Sequence, residues 1–185
     1  MNSGSGRNAR NRLMAIGGGL LLGLLTLWFI FNQLQGEDLP FETISRGDGF
    51  YTGRSYGKDD PNLLIISTPA EIDQPGLDIQ FAPTLATQLH GLDYNRYFAV
   101  LVLQGLRGVT RPGETIAIQQ IKRQNNQIII KATFPESAVG KLVLPAFSSP
   151  YHLVAVSKQT TWGQPIHFAL FANNRRVTEI MHVIP

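Results

Sequence analysis

Apolar positions fall into two regimes along this chain. Leu13 to Phe31 reads LMAIGGGLLLGLLTLWFIF, nineteen residues without a charge. Beyond Pro40, apolar residues come in runs of strand length or alternate with polar ones. A helix over the first stretch is about 28 Å long, near the ~30 Å hydrocarbon core of a bilayer. Eleven of its residues are Leu, Ile or Phe, each worth roughly −0.3 to −0.6 kcal/mol toward insertion. Arg7, Arg10 and Arg12 precede it; Glu37 and Asp38 are the first charges after it. That asymmetry predicts a single-pass anchor with Met1 to Arg12 in the cytoplasm and the remainder outside. A cleaved signal peptide would need a core of about 7–15 residues and a small-x-small site. Phe31 to Gly36 offers no such site, so the anchor is expected to stay attached.

The second regime predicts strands. After a linker from Asn32 to Pro40, Phe41 to Ser45 and Leu63 to Ser67 have strand length. Thr68-Pro69-Ala70-Glu71 reads as a helix start with Thr68 as cap, ended by Pro75-Gly76. Pro83 opens a second short helix reaching about His90. Arg96 to Gln104 is apolar on both faces, the pattern of a central strand. Thr115 to Gln124 and Gln127 to Phe134 form a hairpin around Asn125-Asn126, a pair that tolerates left-handed turns. Its expected register sets Ile121 opposite Ile130, Arg123 opposite Ile128 and Ala117 opposite Phe134. Tyr151 to Ser157 is another strand. A last hairpin joins Pro165–Ala172 to Arg175–Val183 through Asn173-Asn174. It places Ile166, Phe168, Leu170, Val177 and Met181 on one face, with Glu179 opposite Phe168. His167, Phe171, Ile180 and His182 take the other face. The expected class is mainly β: an antiparallel sandwich or partly open barrel spanning residues 41–185, with one or two short helices, preceded by one transmembrane helix.

Composition changes this picture in two ways. The net charge of +3 belongs to the tail: without Arg7, Arg10 and Arg12, 13 basic residues face 13 acidic ones. The domain therefore has no basic nucleic-acid footprint. The chain has no cysteine, which excludes disulfides, thiolate metal sites and a lipoprotein anchor. It also has no Asn-x-Ser/Thr acceptor, and together these point to a bacterial envelope.

Candidate chemistry is sparse. Arg46 to Gly57, RGDGFYTGRSYG, lacks the Lys-Ser/Thr of a phosphate loop and reads as a pair of glycine turns with Phe50 and Tyr51 tucked in. The tripeptide Arg46-Gly47-Asp48 is too short to signify integrin recognition. His167 and His182, diagonal neighbours on one face of the last hairpin, could share a metal ion, but nothing supplies a third ligand. Glu179 on an apolar face could titrate high, or pair with Arg175 or Arg176. No serine sits in Gly-x-Ser-x-Gly. Neither catalytic residues, nor a metal, nor a cofactor are expected.

SPYHLVAVSK, Ser149 to Lys158, resembles the closing strand of the PrcB C-terminal domain family, the protease complex subunit PrcB. Leu92-Asp93-Tyr94 through YFAVLVLQG, Gly49 to Gly53, LLIIS and the Thr68-Pro69 start are similar to other parts of that family, covering about residues 41–158. Two features depart from it: Thr110-Arg111-Pro112-Gly113-Glu114 replaces a Thr-Gly-Gly-Tyr turn, and a tryptophan after LLIIS is absent. The resemblance implies an extracytoplasmic, non-catalytic accessory domain of a surface protease complex. The expected function is thus a tethered protein–protein interaction domain of an envelope complex. Its candidate contacts are Arg107, Arg111, Pro112, Phe50 and Tyr51, with Gly19 and Gly23 as a helix-docking face. The alternative is a ligand-binding or enzymatic domain using His152, His167, His182 or Glu179.

Overall fold

The computed structural model describes residues 36–47, 61–72, 83–108, 115–135, 147–158 and 162–185. The anchor Leu13 to Phe31, with Gly19 and Gly23, lies outside them, as do Phe50, Tyr51, Arg111 and Pro112. Among the described residues no helix is long and apolar enough to cross a membrane.

The domain is mainly β. Among the described residues eleven strands follow in chain order: β1 Glu37–Asp38, β2 Phe41–Gly47, β3 Asn62–Ile66, β4 Tyr97–Leu103, β5 Arg107–Gly108, β6 Ala117–Gln124, β7 Gln127–Thr133, β8 Phe147–Ser148, β9 Tyr151–Ser157, β10 Pro165–Ala172 and β11 Arg175–Val183. A 3-10 turn covers Pro69–Glu71, and helix α1 covers Pro83–His90. Sheet A has the order β1-β6-β7-β10-β11 and sheet B the order β2-β9-β4-β3; β5 and β8 form a two-stranded ribbon. Neither sheet closes into a barrel.

Strand β4 shows why the sheets stack. Phe98, Val100 and Val102 join one core cluster with Ile121, Ile128, Ile130, Phe168 and Leu170 of sheet A. The alternate residues, Ala99, Leu101 and Leu103, join a second cluster with Leu85 and Leu89 of α1 and Ile72 after the 3-10 turn. A strand covered on both faces must be apolar at every position, and β4 is. Phe98 meets Phe168 and Trp162 edge-on, with ring centroids 6.1 and 5.5 Å apart. Leu39, 3% exposed, is where the chain crosses from sheet A to sheet B. Its N–H still donates to Ile121 O (2.8 Å), while Pro40 O already accepts from Ser157 N (3.1 Å).

Three expectations need correction. The strands are not all antiparallel: β7 and β10 pair in parallel, Gln127 beside His167. β8 and β9 intervene between them in the chain, so the connection is a crossover rather than a hairpin. The two hairpins turn where expected, with Asn125, Asn173 and Asn174 at positive φ. Each, however, contains a β-bulge. One between Ile118 and Gln120 pairs Ala117 with Thr133, not Phe134, and turns Ile116 and Ile118 inward. The other, opposite Leu170 and Phe171, shifts every rung beyond Val177 by one residue. Because side-chain direction alternates, that extra residue exchanges the faces of the rest of β11. Ile180 and His182 turn inward opposite Phe168 and Ile166, and Met181 and Glu179 turn outward opposite His167 and Ala169.

Candidate functional site: Ser67, Glu71 and His182 between two sheet edges

Strand β3 ends one sheet and β11 the other, and their ends meet. Ser67 follows β3 directly and is 1% exposed. Its Oγ lies 2.9 Å from His182 Nε2 and donates to Glu71 Oε1 at 3.1 Å. Glu71 Oε2 also accepts the Ser67 backbone N–H at 2.7 Å. The expected cap has therefore moved: Thr68 makes no side-chain cap bond. The glutamate reaches back past Thr68 to the preceding residue. The 3-10 turn over Pro69–Glu71 brings Glu71 back over Ser67.

A serine, a histidine and a carboxylate together invite comparison with a hydrolase triad, and the geometry argues against it. In a triad the carboxylate holds one imidazole nitrogen so that the other accepts the serine proton. Here the hydroxyl and the carboxylate both approach one nitrogen, Glu71 Oε2 standing 3.6 Å from the same Nε2. The carboxylate, the stronger acceptor, takes the hydroxyl proton, leaving Nε2–H to donate to Oγ. Burial lowers the His182 pKa, with Glu71 opposing. The imidazole is thus neutral near pH 7, and its approach to Glu71 is a polar contact rather than an ion pair. With Ser67 sealed from solvent, an acyl carbon has no path to Oγ. The arrangement is a clasp across the sheet edges.

The clasp has a polar surround. The Tyr94 hydroxyl is buried, and burial together with the Glu71 charge pushes its pKa up to about 12. Lys158 Nζ donates to Tyr94 O (2.8 Å) and Pro185 O (3.2 Å). Burial lowers the Lys158 pKa, with Glu71 opposing. Ser67, Tyr94 and Lys158 each end a run that the sequence marks clearly, yet nothing local shows that the three runs converge.

His152 is committed elsewhere. It is 3% exposed. Its Nδ1 accepts the Ile118 N–H at 2.8 Å, so Nε2 carries the proton toward Thr43 Oγ1 at 3.0 Å. This imidazole of sheet B supplies the acceptor for a bulged position on β6 of sheet A. Burial, reinforced by Arg46, lowers its pKa to about 4. Neither nitrogen is open to a metal. His167 is exposed on the outer face of sheet A and His182 turns inward, so the bulge separates the two histidines expected to share a face. Glu179, also outward, pairs with Arg176. Arg107 sits half-buried on the β5–β8 ribbon. Gly47 lies under Tyr151, where a Cβ would come within 3.1 Å of the ring, and Tyr151 OH bonds Ser45 Oγ at 3.1 Å. Arg46 and Gly47 are therefore strand residues rather than an exposed loop. Among the described residues no group of three metal-ligating side chains converges.

Comparison with known proteins gives no relative: no family model, no curated protein and no solved structure matches the chain.

Proposed function

We propose that this protein is a non-catalytic interaction module, a β sandwich held outside the cytoplasm by Leu13 to Phe31 as an accessory or assembly subunit of an envelope complex. The observation that carries this reading is where the reactive side chains go. Ser67, Glu71 and His182 satisfy one another, and His152 satisfies the backbone of the facing sheet. These side chains join the two sheets to each other, which favours the surface as the working part. The uncharged stretch and its arginine flank support the tether. The resemblance of residues 41–158 to the PrcB domain makes a protease complex the first partner to test.

Two measurements test the reading. Protease added to intact spheroplasts should digest residues 37–185 and spare the tail; protection of the domain overturns the topology. A tagged full chain purified from detergent-solubilised membranes should bring down a second envelope protein in constant ratio. Recovery of the chain alone overturns the accessory role.

A further inference from the structure

Both bulges of sheet A fall beside one rung, where Lys131 of β7 lies opposite Phe171 of β10. The first adds Gln119 to β6 between the partners of Ala132 and Lys131; the second adds Val177 to β11 between the partners of Leu170 and Phe171. A bulge bends its strand and re-aims the side chain it adds. With a bend on either side, the outer face is hollowed over this rung into a cavity of about 480 Å³. Gln119, Lys131, Thr133, Phe171 and the turn residues Asn173 and Asn174 line it. Phe171, half-buried, is the aromatic of the lining, and Lys131 is its one charge. Asn173 is committed: its Oδ1 accepts the Phe134 N–H at 3.0 Å and its Nδ2 donates to Phe134 O at 3.2 Å, which fixes the turn against the end of β7. Gln119, Lys131, Thr133 and Asn174 are exposed, and their side chains have no hydrogen-bond or ion-pair partner among the described residues.

We propose that this cavity binds a saccharide unit carrying one carboxylate, with the sugar ring against Phe171 and the acid at Lys131. The volume lies within the roughly 300–1,000 Å³ of small-molecule sites. Strands β7 and β10 are interior to the sheet, so their backbone is already paired. A peptide therefore finds no edge to extend, and recognition falls to side chains. The amides of Gln119 and Asn174 each offer a donor and an acceptor, and the Thr133 hydroxyl offers both, as do the hydroxyls of a sugar. A sugar ring also presents an apolar C–H face, which suits a half-exposed phenyl ring set among polar groups. One ammonium matches one acid, whereas the phosphates of a nucleotide would leave charge unmatched. Arg176, opposite Phe171, is already paired with Glu179. The fixed turn holds its rim in place before the ligand arrives, which lowers the cost of ordering it. The inference goes beyond the interaction-module reading and holds with or without a protein partner.

Isothermal titration of the full chain in a polyoxyethylene detergent, which carries no sugar, tests this with trigalacturonate, neutral galactotriose and triglutamate. Trigalacturonate should bind at least about tenfold more tightly than galactotriose, the scale of one charge-assisted hydrogen bond. Lys131→Gln should abolish that preference. Phe171→Leu and Gln119→Ala should each weaken both sugars. Lys131 and Gln119 are exposed, so denaturation midpoints of their variants should match the parent and separate lost binding from lost folding. Co-sedimentation with purified peptidoglycan sacculi, lost in Lys131→Gln, would assign the acid to a wall glycan; binding of the trimer alone would assign it to a soluble uronic acid. Binding to neither trigalacturonate nor sacculi overturns the proposal, as does binding that Lys131→Gln leaves unchanged. Triglutamate bound as tightly as trigalacturonate also overturns it, since the site would then read charge alone.

Discussion

The outer faces of the two sheets have opposite fates. Sheet B is roofed by α1 and the 3-10 turn, so Leu101, Leu103 and Leu153 are buried on a face that would otherwise meet water. The outer face of sheet A carries Lys131, Thr133, His167 and Glu179, and its exposed apolar residues lie on β11. One sheet is finished within the chain; the other presents a face and an edge. The same two-residue periodicity produces both, and what differs is whether the outward positions are apolar. Where they are apolar throughout, as in β4, the chain supplies its own cover. Where they are apolar only along an edge strand, Val177, Met181 and Val183 stay exposed.

The contrast can be broken experimentally, most strongly at the roof. Leu101→Ala should cost about 2–5 kcal/mol by chemical denaturation, the range for emptying a buried leucine site. A loss under about 1 kcal/mol, the scale of a surface site, would mean that α1 does not cover sheet B.

His152 tests the join between the sheets. Its pKa is about 6.5 unfolded and about 4 folded. Its contribution is complete above pH 6.5, declines as pH falls toward 4 while only the unfolded chain takes up the proton, and changes no further below. The loss is on the order of 3 kcal/mol. His152→Gln keeps an acceptor for Ile118 N–H and removes the titration. Denaturation midpoints of this variant should therefore vary less between pH 7 and 4 than those of the parent; equal slopes would show that His152 is not sealed between the sheets.

Ser67→Ala should cost less, about 1–2 kcal/mol, because Glu71 retains the backbone N–H while His182 loses its acceptor. A gain in stability would show that the clasp is strained rather than supportive. Met181→Ser should change the stability of the monomer by no more than about 0.5 kcal/mol. A larger loss in dilute detergent would mean that the outer face of sheet A is already covered within one chain.

Much of this fold was legible. Asn125-Asn126 and Asn173-Asn174 fixed both hairpin turns, α1 ran from Pro83 as expected, and the unbroken apolar run of β4 announced a central strand. What could not be read were single-residue events and distant pairings. The residue preceding Gln120 and the residue preceding Thr178 each add one position to a strand, and nothing in their chemistry marks a bulge. Yet the second bulge alone reversed the faces of Glu179, Met181 and His182, and so dissolved the expected histidine pair. Ser67, Glu71 and His182 could be joined only by knowing that the ends of β3 and β11 meet, a tertiary fact with no local signature. His152 stood in the quoted SPYHLVAVSK run, but its role depends on an N–H exposed by a bulge on another strand.

The parallel seam between β7 and β10 has a kinetic consequence. The two hairpins of sheet A can each close early, over two-residue turns, on the microsecond scale of local hairpins. They cannot dock at Gln127 and His167 until the intervening chain has been brought back across the molecule, with β9 laid into the other sheet. Loop-closure entropy is paid before any seam contact repays it. Sheet A is therefore assembled from two fast halves joined by one slow step, and until that step β7 and β10 both lack a partner on the side where they later pair.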